Sequence, residues 1–198
     1  MKSTRVRVIL AAVAAGVTLT ACSPSQVGTA AIVGGERISS SELNAGVKEF
    51  EEALTRTGMG GQIQTPAPQA VLGGLISIEQ ISQLGERNGV TVTETEIDDF
   101  LTSVRTELAK QGRQLTDEQL ALNNGLPPSK LRDLVRISII QDKMMKGFGA
   151  GEDEASRQAA SQKFAQETQT IKVVQNPRYA AADPQDDKAA RFGVLRAS

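Results

Sequence analysis

Apolar residues change their spacing several times along this chain, and each change marks an element. Thr29-Ala30-Ala31-Ile32-Val33 is a short apolar run, Gly34-Gly35 interrupts it, and Glu36-Arg37-Ile38 resumes it. A Gly-Gly pair accepts the positive φ angles of a two-residue type I′ turn, so this stretch predicts a hairpin or strand–turn. Ser39, with Glu42 three residues on, forms a capping box. Leu43, Val47, Phe50 and Leu54 then recur at intervals of four, three and four, which is one helix face. Gly58 to Ala67 reads as a loop. Pro68 can open a second helix, whose Leu72, Leu75, Ile76, Ile78, Ile81 and Leu84 fill more than one face. This helix is therefore expected to be central. Gly73-Gly74 weakens it by ~1 kcal/mol per Gly relative to Ala, which close helix approach or a bend would offset. Asn88-Gly89 ends it.

The pattern continues in the same manner. Thr93 and Glu96 make a second capping box before Ile97, Leu101, Val104 and Leu108, and Gly112 stops that helix. Thr116 and Gln119 make a third box before a short helix to about Asn123. Pro127-Pro128-Ser129 starts a long fifth helix with Leu131, Leu134, Val135, Ile137, Ile140 and Met144 inward. Gly147 to Gly151 reads as a hinge-like linker. Glu152-Asp153-Glu154 suits the positive end of a sixth helix, whose apolar content is thin: Ala155, Ala159, Phe164 and Ile171. Ile171 to Val174 turns extended, and Asn176-Pro177-Arg178-Tyr179 ends it. The predicted fold is mainly α, with five to six helices and a small two- or three-stranded β element. Residues 180–198 are expected to be a flexible tail, with Phe192-Gly193-Val194-Leu195 able to dock as an edge strand.

The N-terminus carries different information. Lys2, Arg5 and Arg7 precede an uncharged run from Val8 to Thr18. That run is too short to span a bilayer, which takes ~20 residues, and has the form of a signal-peptide core. Leu19-Thr20-Ala21-Cys22 follows and resembles the lipobox of bacterial lipoproteins. The resemblance implies cleavage after residue 21, lipidation of the Cys22 thiol, a lipidated linker over 22–28, and a protein on the extracytoplasmic face of the cell membrane. The other reading is an ordinary cleaved signal with Cys22 a stray thiol.

Composition narrows the chemistry. The 198 residues include no His and one Cys. A Ser-His-Asp triad, a Cys-His dyad, a His-ligated metal and an internal disulfide are all excluded. The formal net charge of −1 shows no general basic excess, so no nucleic-acid partner is expected. Lys130, Arg132, Arg136, Lys143 and Lys146 make the fifth helix partly basic, but Asp133 and Asp142 break the run, which reads as a solvated face. Glu94, Glu96, Asp98 and Asp99 lack the alternation of a calcium loop and suit a helix N-terminus. Gly58-Met59-Gly60-Gly61 lacks the Lys-Ser/Thr of a phosphate loop. No enzymatic activity and no cofactor are expected.

Two anchors carry a wider resemblance: Ala30 to Ile38 with Ser41-Glu42-Leu43, and Val173 to Tyr179. Together with the helix order they resemble the N-terminal chaperone domain of SurA and PrsA-type foldases over roughly residues 27–183. The resemblance implies one domain over 29–179 and a first strand, Ile32 to Val33, paired with Ile171 to Val174. It implies binding of unfolded or extended segments of secreted or envelope proteins, with the lipid anchor holding the chain at the membrane. Gly34 stands where relatives have Asn, a change expected to be harmless. Ala180 and Ala182 stand where relatives tend to have Gly and an aromatic. A parvulin isomerase domain has no room here. Met59, Met144, Met145 and Phe148 are the candidate peptide-binding residues, since Met adapts to varied surfaces; the alternatives are that Met144, Met145 and Phe148 pack the core and that Met59 is an exposed loop residue. A scaffold lipoprotein binding one folded partner is the second functional reading, and prolyl isomerisation a third.

Overall fold

The computed structural model describes residues 27–61 and 63–179. A hairpin comes first: β1 (Thr29–Val33) and β2 (Glu36–Ser39). Gly34 and Gly35 both take positive φ, 59° and 107°, as a type I′ turn requires. Six helices follow: α1 (Ser40–Thr57), α2 (Ala67–Arg87), α3 (Glu94–Lys110), α4 (Asp117–Asn123), α5 (Leu131–Gly147) and α6 (Glu154–Gln169). A 3-10 turn over Pro128–Lys130 leads into α5. The chain then forms β3 (Val173–Gln175) and a last 3-10 turn at Pro177–Tyr179. The fold is mainly α with one small antiparallel sheet.

Local chemistry accounts for the helix boundaries. Ser39 Oγ accepts the Glu42 N–H at 3.0 Å, but the Glu42 carboxylate does not return to the Ser39 N–H, so only half of the expected box forms. The boxes at Thr93/Glu96 and Thr116/Gln119 are reciprocal, each satisfying two donors that the first helical turn leaves free. Gly58 closes α1 in the left-handed conformation.

The sheet order is β2-β1-β3, with β1 in the centre. Val33 stands opposite Val173, Ile32 opposite Val174 and Ala31 opposite Gln175. The Asn176 N–H donates to the Ala30 carbonyl and its Nδ2 to the Thr29 carbonyl, both at 2.9 Å. The expected pairing of the first and last strands is therefore present, and Asn176 closes it.

α2 is the central helix. It packs against α1, α5, α6 and β1. Val71, Leu72 and Leu84 from α2 are buried with Phe50, Leu43, Ile97, Leu122, Val135 and Ile137. Two glycines allow α2 its close neighbours. A Cβ at Gly74 would stand 2.4 Å from Leu126 Cδ2, and one at Gly85 would stand 2.8 Å from Ile140 Cγ2. Close approach, one of the two roles open to the Gly73-Gly74 pair, is what Gly74 performs.

Three expectations need correction. In α6 the buried alanine is Ala160; Ala155 and Ala159 face solvent. Gly147 ends α5 and is not part of the linker. Met59 is not a loop-surface residue: its N–H bonds the Leu54 carbonyl at 3.0 Å, which folds its side chain into the core. Cys22, Ala180, Ala182 and the 192–195 segment lie outside the described residues.

Candidate functional site

A groove of about 480 Å³ runs between α2, α5 and α6. Ile81 of α2, Leu126 from the turn after α4, Leu134 and Ile137 of α5, and Phe164 of α6 supply its apolar surface. Gly74 keeps the α2 side low, so Leu126 can lie against it. Ser77, Gln80, Asn124, Gln141, Thr168 and Gln169 add neutral polar groups, and none of the described lining residues is charged. The size falls within the ~300–1,000 Å³ of ordinary ligand sites, and a mainly apolar lining with few polar groups is their usual make-up.

The polar groups differ in what the fold already asks of them. Gln80 Nε2 donates to the Thr168 and Ile171 carbonyls, 3.1 Å each, and so straps the end of α6 to α2. Asn124 Nδ2 donates to the Leu120 carbonyl at 2.8 Å, capping α4. Gln141 is different. Its Oε1 is buried and has no hydrogen-bond partner, and among the described residues it is the one buried side-chain polar atom in that state. An unpaired buried acceptor costs ~1–3 kcal/mol.

Electrostatics set this groove apart from its surroundings. A second hollow of about 450 Å³ is lined by Glu36, Glu42, Glu79, Glu86 and Arg37 and is strongly acidic. The cations of α5, and Lys130 just before it, all have carboxylate partners. Arg132 bonds Glu94 and Asp98, Arg136 bonds Glu94 and Asp133, Lys143 bonds Glu96, Lys130 faces Asp133, and Lys146 bonds Asp142. The Lys143 ammonium, with the Thr93 N–H, pulls the Glu96 carboxyl down to about 2. Glu94 is lowered by its bonds to Arg132 and Arg136. The acidic start of α3 is thus an inter-helix ion-pair network with α5. Among the described residues no group of acids and cysteine could hold a metal ion.

The sequence-derived candidates lie elsewhere. Met59 and Met144 are core residues, 5% and 3% exposed, because both face the packed interior. Met145 and Phe148 are half-buried at the end of α5, and Lys163 Nζ stands 4.9 Å from the centre of the Phe148 ring. None of the four lines the groove. The glutamines were missed, yet they left a sequence signal. Gln141 falls on the α5 stripe Leu134, Ile137, Met144 at helical spacing, a polar interruption of an apolar face.

A family model described as the SurA-like N-terminal domain matches residues 1–145. That span includes α1 to α4 and nearly all of α5, while α6 and β3 follow it. No curated protein and no solved structure matches the chain.

Proposed function

The chain belongs to the family of SurA-like N-terminal domains, non-catalytic chaperone-type modules, and from that premise we propose that it is a lipid-anchored, extracytoplasmic holdase for unfolded segments of secreted or envelope proteins. The observation that carries this reading is the uncharged groove between α2, α5 and α6. A holdase must accept many sequences. Apolar contacts are non-directional, and neutral amides can meet main-chain groups, which every sequence offers. No bond is made or broken. The anchor rests on Leu19-Thr20-Ala21-Cys22, which would hold the domain beside the membrane that its clients cross.

The test is suppression of aggregation. Soluble protein comprising residues 23–198 is mixed with an unfolding envelope protein and light scattering is followed. Scattering falls with increasing protein if the reading is right; unchanged scattering at several-fold excess overturns it.

The exposed edge of β3 favours a second reading. Val173 and Val174 are 36% and 38% exposed on a strand edge that has no partner among the described residues, a surface one folded partner could extend. Affinity capture yielding one stoichiometric partner and no unfolded clients would select that scaffold role.

A further inference from the structure

Gln141 has a use that packing does not supply. Its Oε1 is buried in a wall of the groove without a partner, while Gln80 and Asn124 in the same groove are engaged by the fold. An apolar side chain of similar size would fit the Leu134–Ile137–Met144 stripe without stranding an acceptor. A donor entering the groove would satisfy that oxygen once the Gln141 side chain turned toward it.

The surroundings define that donor. A buried acceptor requires a donor. A charged donor would be stripped of water beside Leu126, Leu134, Ile137 and Phe164 with no carboxylate in the lining to pair it. A neutral N–H meets the need. An extended polypeptide brings one at every residue except Pro and places apolar side chains on either side of it. If the carboxamide is turned the other way, the buried end donates, and the complement is a main-chain carbonyl; both belong to the same peptide unit.

We propose that Gln141 is the specificity-determining residue of the groove, pairing with the main chain of an extended, uncharged, apolar peptide segment. This deepens the holdase reading and rests on it. The contact explains how a groove can be sequence-tolerant and still distinguish an extended chain from detergent or lipid tails, which carry no amide.

The experiment uses the 23–198 protein and its Gln141→Leu variant. The probe is a fluorescein-labelled seven-residue peptide of Val, Leu and Ser, compared with two analogues N-methylated at alternate residues in either register. Fluorescence anisotropy should show the wild type binding the unmodified peptide ~5–10-fold more tightly than at least one analogue, the effect of one hydrogen bond of about average strength. Gln141→Leu should bind all three alike, and its urea midpoint should equal or exceed the wild-type value. Undiminished discrimination by Gln141→Leu overturns the assignment while leaving the holdase reading intact. A lowered urea midpoint also overturns it, since the amide would then be serving the fold. Failure of the wild type to bind any of the peptides overturns both.

Discussion

Glu96 does two things at once, and both depend on its charge. It accepts the Thr93 N–H that starts α3, and it bonds Lys143 of α5. Its carboxyl is held at about 2, against 4.5 for an ordinary Glu. The folded form binds its proton more weakly than the unfolded form does. Its contribution to stability is therefore fully present above pH 4.5 and lost as pH falls toward 2. Glu94 acts in the same direction. Glu96→Gln is expected to be less stable than wild type at pH 7, with the gap closing as pH falls from 4.5 toward 2. Urea midpoints measured across that range test this; a gap that stays constant would show that the charge is not involved. Gly34 teaches a related lesson at one residue. Its lack of a side chain is more than harmless: a Cβ there would collide with Gln83 Oε1, and Gln83 Nε2 holds the Val33 carbonyl at 2.7 Å.

Among the elements, α6 stands out for how little apolar surface holds it. Its one buried residue is Ala160, helped by the half-buried Phe164. Polar straps supply the rest: Gln80 of α2 reaches the carbonyls of Thr168 and Ile171, and Lys163 lies over Phe148. Helices attached in this way open at lower free energy than core helices. Gln80→Ala removes two hydrogen bonds worth ~1 kcal/mol each. Amide exchange in α6 and β3 should then quicken by about tenfold or more, with α2 and α5 little changed. Uniform quickening throughout would mean that α6 and the core open as one unit. Since α6 forms one wall of the groove, its looseness bears on how wide the groove can open for a client.

At the scale of the molecule, the strand β1 joins the two ends of the domain. β2 follows it after two residues, and β3 reaches it after more than a hundred. Ile171 is buried beside this junction, and the Lys172 carbonyl accepts the Gly34 N–H at 2.8 Å. The domain is thus closed on itself, and the proposed tether would enter it directly through Val27 and Gly28, the described residues before β1. Cys22→Ala is expected to move the protein from the membrane fraction to the soluble fraction and to abolish labelling by a fatty-acid probe. Membrane retention with unaltered labelling would refute the anchor.

The sequence by itself determined the elements, because their signals are local. Glycine pairs, capping boxes and apolar periods act over a few residues, and the hairpin, α1, α3 and α4 all follow from them. The two anchors even placed β3 against β1. The sequence did not determine which side chains meet across α2, α5 and α6, because that depends on three helices brought together from distant parts of the chain. Met59 in the glycine loop suggested a mobile contact, but tertiary packing turned it inward, where Met144 of the inward α5 stripe is buried too. Only tertiary structure decided that Gly74 admits Leu126, that Gln80 is used up in strapping α6, and that Gln141 keeps a buried oxygen without a partner. A polar residue on an apolar stripe could be read from the chain; whether it found a partner depended on neighbours far away in sequence.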